Sequence, residues 1–129
     1  MSKTVKDIVR SFYETDFVNN IDALSEYLHP DIELQWVSSF GFSKKKFDEI
    51  RTIFSDIAQS FETLTCEITQ LISENNKVSV QYTYYGNPIE VPNKELTIAH
   101  FMAIWEVKDE KLYKGYQISQ HGDNAPQNV

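Results

Sequence analysis

The chain is poor in cysteine, glycine, proline and arginine, and each shortage excludes something. Cys66 stands alone among 129 residues, so no intrachain disulfide can form. A single cysteine in a strand-like run reads as a small core residue rather than a nucleophile. Four glycines and four prolines leave little room for a linker or a low-complexity segment, and no period points to internal repeats. Only two arginines, Arg10 and Arg51, accompany a net charge of −7, whereas a nucleic-acid binder needs clustered cations to neutralise phosphates. The one basic cluster, Lys44-Lys45-Lys46, reads as a solvated turn opening a helix. Nothing approaches the ~20 apolar residues of a membrane span. The charged N-terminus MSKTVKDIVRSFY also lacks the apolar stretch of a signal peptide. No metal and no cofactor is expected. The expectation is one soluble domain of a reducing cytoplasm, without nucleic-acid or membrane partners.

What is present is a core. Apolar residues make up 41% of the chain and aromatics 13%, enough for a globular domain of this length. Thr4 to Asp7 has the form of a helix start, and Val5, Ile8, Val9, Phe12 and Phe17 follow helical spacing up to Asn19-Asn20. Asp22 can cap a short second helix that ends near His29, because Pro30 disfavours helix at the residue before it. His29 then suits the last helical turn, and Pro30-Asp31 reads as punctuation rather than as half of a catalytic pair. Ile32, Leu34 and Trp36 alternate with polar residues as in a half-buried strand. After a Phe40-Gly41-Phe42 loop, Ser43 can cap a third helix with Phe47, Ile50, Phe54, Ile57 and Phe61 on one side. Four extended segments follow, about 64–73, 77–85, 95–107 and 111–120, with turns at Asn75-Asn76 and Asp109-Glu110. The order predicts an α+β fold: N-terminal helices packed on a strongly curved, mostly antiparallel sheet of about five strands. The tail from His121 to Val129 is expected to be loosely ordered.

The stretch NNIDALSEYLHPDIELQW resembles the opening of SnoaL-like proteins of the nuclear-transport-factor-two-like superfamily, with a short helix, a His-Pro-Asp turn and a strand. VKDEKLYKGYQISQ resembles the hairpin and last strand of that family, and the element order matches over residues 4–120. The resemblance implies a cone-shaped fold with a pocket between sheet and helices, commonly in a homodimer. It does not imply one activity, since the superfamily includes isomerases, cyclases, dehydratases, epoxide hydrolases and binding modules. The positions that serve ketosteroid isomerases fall at Phe12, Trp36 and Ala99 by the resemblance, and none of the three can do its part of the proton transfer. The acid that cyclases carry at the end of the last strand falls at Gln120, and both arginines lie on predicted helices, away from an epoxide-hydrolase arrangement.

Strand alternation extends the comparison. With Ala99 inward, Phe101, Ala103 and Trp105 face the pocket, while His100, Met102 and Ile104 face away and provide a surface for a homodimer. On the last strand Tyr116, Ile118 and Gln120 share a face, inward by the resemblance; the direction of Tyr82 and Tyr84 stays open. The expected ligand-binding set is therefore Phe12, Trp36, Phe101, Trp105, Tyr116 and Gln120. The weak catalytic candidate is Asp16, four residues after Phe12 on the same helix. The leading expectation is a pocket for a small, largely apolar or aromatic molecule. One alternative is an isomerase, dehydratase or cyclase with an acid or base foreign to the family. The other is an interaction module whose filled pocket is only core.

Overall fold

The computed structural model describes residues 4–122. The fold is α+β, three short helices on a curved, six-stranded, mostly antiparallel sheet. The elements are α1 (Val5–Glu14), α2 (Leu24–Tyr27, after a 3₁₀ turn at Ile21–Ala23), β1 (Leu28–Ser38), β2 (Gly41–Lys45), α3 (Phe47–Ser60), β3 (Phe61–Glu74), β4 (Lys77–Pro88), β5 (Leu96–Lys108) and β6 (Lys111–His121). Strand order is β2-β1-β6-β5-β4-β3, antiparallel throughout except for the parallel β1–β6 pair. His121 thus belongs to β6 rather than to a loose tail, which from residue 123 onward lies outside the described residues.

α1 starts where its capping box places it: the Asp7 N–H donates to Thr4 Oγ1 at 3.1 Å and the Thr4 N–H to the Asp7 carboxylate at 3.4 Å. It buries Ile8, Val9, Phe12 and Tyr13 and stops at Glu14, five residues short of Asn19. The cause is local. Asp16 Oδ1 accepts the Val18 and Asn19 N–H groups at 3.1 and 3.3 Å, an alternative that draws the backbone out of the helix. Phe17 consequently reaches the core from a turn, packed against Phe12 and Phe54.

Two further expectations give way. α2 ends at Tyr27, and His29 lies in β1, where Nδ1 accepts the Asp31 N–H at 3.0 Å and Nε2 sits 3.4 Å from Asp109. Proline restricts the preceding residue to extended backbone, and here the extended run reaches two residues upstream of Pro30. The Phe40-Gly41-Phe42 segment enters a hairpin instead of a loop. Gly41, at φ 111°, turns the chain so that Leu34 to Ser38 pair with residues 41–45, adding the sixth strand. Ser43 is therefore a ladder partner of Trp36, and α3 is capped at Lys46, whose N–H donates to the Glu49 carboxylate at 3.1 Å. The basic run ends in an ion pair, Lys46 to Glu33 at 3.1 Å.

Candidate functional site

α1 and α3 lie over the sheet, and between them are two adjoining cavities. The inner one, about 90 Å³, lies among Phe12, Tyr13, Tyr82, Trp105 and Gln117 and is almost wholly apolar. The outer one, about 500 Å³, opens beside the β1–β2 hairpin, where Phe40 and Phe42 flank it. Trp36, Ile53, Ile57, Ile98 and Phe101 border both. The α3 periodicity explains its share of the wall: Ile50 and Phe54 bury against the core, while Ile53, Asp56 and Ile57 face the outer space one turn apart.

Phe101 anchors an aromatic wall. The Tyr82 ring stacks on it at 4.8 Å with planes 4° apart, and Tyr84 meets its face edge-on at 5.7 Å. Tyr82 and Tyr84 both point inward, which settles their direction. Three hydrogen bonds hold polar tips of the wall. Trp105 Nε1–H donates to the Tyr13 hydroxyl at 2.7 Å, the Tyr82 hydroxyl to Gln117 Oε1 at 2.6 Å, and Trp36 Nε1–H to Ser119 Oγ at 2.8 Å. Burial pushes the Tyr13 and Tyr82 phenols well above the usual tyrosine range. Burial, aided by the Glu14 and Glu67 charges, pushes the Cys66 thiol up to about 12, which leaves it inert at neutral pH.

An alkaline titration should register this burial. A phenol whose folded-state pKa is raised favours the fold fully below the unfolded value of about 10, and that contribution is lost as pH climbs from there toward the folded value. Tyr13 and Tyr82 should therefore ionise together with unfolding, as one cooperative step in absorbance at 295 nm coincident with loss of the near-ultraviolet circular dichroism. Smooth ionisation of every tyrosine near pH 10, with the fold retained, would contradict their burial.

Of the residues expected in the pocket, Phe12, Trp36, Phe101 and Trp105 line the inner cavity. Tyr116 and Gln120 do not. They lie on the outer face, Tyr116 at 49% exposure, with Ile118 beside them at 63%. A β-bulge is responsible. Val107 pairs with Leu112, but Glu106 pairs with Lys114, so Tyr113 is an extra residue that reverses the alternation. Leu112 and then Gly115, Gln117 and Ser119 face inward, and the even positions beyond the bulge face out. Asp16 is also displaced, exposed in its turn with its carboxylate occupied by Val18 and Asn19. Ala99 faces the outer cavity, whereas His100, on the opposite face, bonds Thr83 at 2.9 Å.

Sequence reasoning missed Tyr13, Gln117, Ser119, His121 and Asp56, which line the two cavities. One signal for the β6 residues was available: Gly115 leaves room for a large inward neighbour, and Trp105 is its cross-strand partner. Among the described residues, no group of three His, Cys, Asp or Glu side chains is placed to hold a metal, and no helix is long and apolar enough to cross a membrane.

Comparison with known proteins places this architecture. IdmH from Streptomyces antibioticus, a proposed polyketide cyclase, superposes with a TM-score of 0.71 over 91% of this chain and 92% of its own, at 14% identity. A LEH-like epoxide hydrolase from M. tuberculosis gives 0.68 over 89% and 81%, at 14% identity. AusH from Aspergillus nidulans gives 0.74 over 95% and 85%, at 13% identity. At such identities the likeness is one of fold, and among curated proteins none matches the chain. Residues 9–114 match the model of the SnoaL-like domain. With most of its length matched, and with the helices and curved sheet that its structural neighbours share, the chain belongs to the SnoaL-like domain family.

Proposed function

We propose that this protein binds a small, flat, largely apolar molecule in the joined cavities. The observation that carries the reading is the outer cavity of about 500 Å³, within the usual size of ligand sites, opening onto the wall of Trp36 and Phe101. Burying apolar ligand area there contributes about 25 cal/mol per Å², enough for micromolar affinity without any charge. A thermal-shift screen of polycyclic aromatic and steroid-like compounds tests it. Stabilising hits are expected, and Ile57→Trp, which obstructs the border shared by the two cavities, should reduce their shifts. A screen with no hits would favour the interaction module with a filled interior.

A second reading, catalysis, is favoured by Asp56 and His121, which face the outer cavity alongside Lys45 and Ser119. An imidazole can both accept and give a proton, which suits proton transfer. The likeness to a proposed polyketide cyclase and an epoxide hydrolase supports the same reading. His121→Asn should then abolish turnover while leaving thermal shifts intact. Isomerisation of a 3-oxo-Δ5-steroid should be absent, because Phe12, Trp36 and Ala99 supply neither base nor oxyanion donor.

The outer sheet face supports a homodimer. Val37, Met102, Ile104, Tyr116 and Ile118 are all at least 44% exposed. Ladder pairing places Met102 beside Ile118 and Ile104 beside Tyr116, and joins Val37 to Ile118, so they form one apolar patch. Sedimentation equilibrium at micromolar concentration should give twice the 15.0 kDa chain mass, and Ile118→Lys should return the monomer. A wild-type monomer would leave the patch without this partner.

A further inference from the structure

We propose that the ligand carries a neutral carbonyl group, a ketone or quinone oxygen, which the side-chain NH₂ of Gln117 receives in the inner cavity. The inference rests on the binding reading above and adds the chemical class of the ligand. Two polar residues among those described are buried beyond the phenols and indoles, Thr83 and Gln117. Thr83 is bonded to His100 on the opposite face of the sheet, so Gln117, at 7% exposure, is the amide that reaches the inner cavity.

The orientation of that amide follows from its neighbours. An indole nitrogen can only donate, so Trp105 gives its proton to the Tyr13 oxygen at 2.7 Å. The Tyr13 proton then needs another acceptor, and Tyr82, whose ring lies 4.2 Å from that of Tyr13, is the neighbouring phenol. The Tyr82 proton goes on to Gln117 at 2.6 Å, a separation typical of O–H···O and short for N–H···O. The reverse order leaves a buried phenol proton without an acceptor, at the desolvation cost of an unpaired donor. The amide oxygen is therefore occupied, and the nitrogen points elsewhere. No protein acceptor among the described residues takes it, and no fully enclosed polar side-chain atom goes unpaired, so the nitrogen opens onto the cavity that Gln117 lines.

A donor in an apolar chamber selects its partner. Tyr82 gives its proton to Gln117, and the Tyr84 hydroxyl, which also lines the chamber, is a second donor toward a ligand oxygen. No cationic side chain lines the inner cavity, so a carboxylate would lose its hydration without compensation. A carbonyl needs a donor and nothing else. A chamber of about 90 Å³ admits that end of a molecule, and its body lies in the outer cavity against Trp36 and Phe101.

Matched pairs test this directly: 9-fluorenone against fluorene, and anthraquinone against anthracene, by calorimetry with wild-type protein. The carbonyl member should bind about threefold to tenfold tighter, the yield of one net hydrogen bond. Its carbonyl stretch should move to lower frequency on binding, and in Gln117→Met that movement should disappear while the hydrocarbons still bind. Should Gln117→Met fail to fold, the wild-type pairs and the infrared band decide alone. Equal affinity within each pair, with an unmoved carbonyl band, would overturn the carbonyl assignment and leave the binding reading standing. Failure of all four compounds to bind would overturn both.

Discussion

Replacing Gly115 with valine should cost about 3 kcal/mol of folding stability and lower the melting temperature by roughly 10 °C. Gly115 sits on β6 directly opposite Trp105 on β5 and beside Leu34 on β1. A Cβ there would overlap the six-membered ring of the Trp105 indole and lie 2.8 Å from Leu34 Cδ1. Neither neighbour can retreat. Trp105 is 2% exposed and hydrogen-bonded to Tyr13, and Leu34 is 5% exposed within the same core. Valine adds two methyl groups to the same collision. A urea titration should show a lower midpoint at unchanged slope. Gly41→Ala is the control: nothing lies within 4 Å of its Cβ, so the cost is that of the positive φ alone, about 1 kcal/mol. A Gly115→Val protein as stable as the wild type would mean that the indole does not fill this site.

Trp36→Ala should weaken ligand binding roughly thirtyfold, whereas Tyr116→Ala and Gln120→Ala should leave it within about twofold. Trp36 borders both cavities, and its N–H bond to Ser119 at 2.8 Å holds the indole in place before any ligand arrives. Covering about 80 Å² of ligand at 25 cal/mol per Å² corresponds to about 2 kcal/mol, and truncation forfeits it. Tyr116 and Gln120 lie across the sheet from the cavities and have no ligand to lose. Calorimetry on the hits from the thermal-shift screen reads all three variants. Affinity that depends on Tyr116 or Gln120 and ignores Trp36 would place the site on the outer face.

The features behind these substitutions are held unevenly by the sequence. The capping box of α1, the apolar spacing of α3, the turns at Asn75-Asn76 and Asp109-Glu110 and the alternation in β1 and β5 were all legible. That Phe101 and Trp105 share a face followed from the alternation in β5, while the inward direction of that face was what the family resemblance implied. Where α1 ends was less legible, because the Asp16 side chain competes for backbone donors that periodicity assigns to a helix. The β1–β2 hairpin was hidden because Gly41 can serve a loop and a tight turn equally well.

By itself the sequence determined the α+β class, the element order apart from β2, and the aromatic core. Each of these is set by residue identity or by interactions within about one helical turn or one hairpin. The tertiary structure alone decided which β6 residues face the cavity, that Trp105 bonds Tyr13 and Tyr82 bonds Gln117, and that two adjoining cavities open beneath the helices. The facing of β6 accumulates along the ladder, and the single extra residue at Tyr113 reverses every position after it. The openness depends on how α1 and α3 rest on the sheet, a sum of many small contacts between residues far apart in the chain.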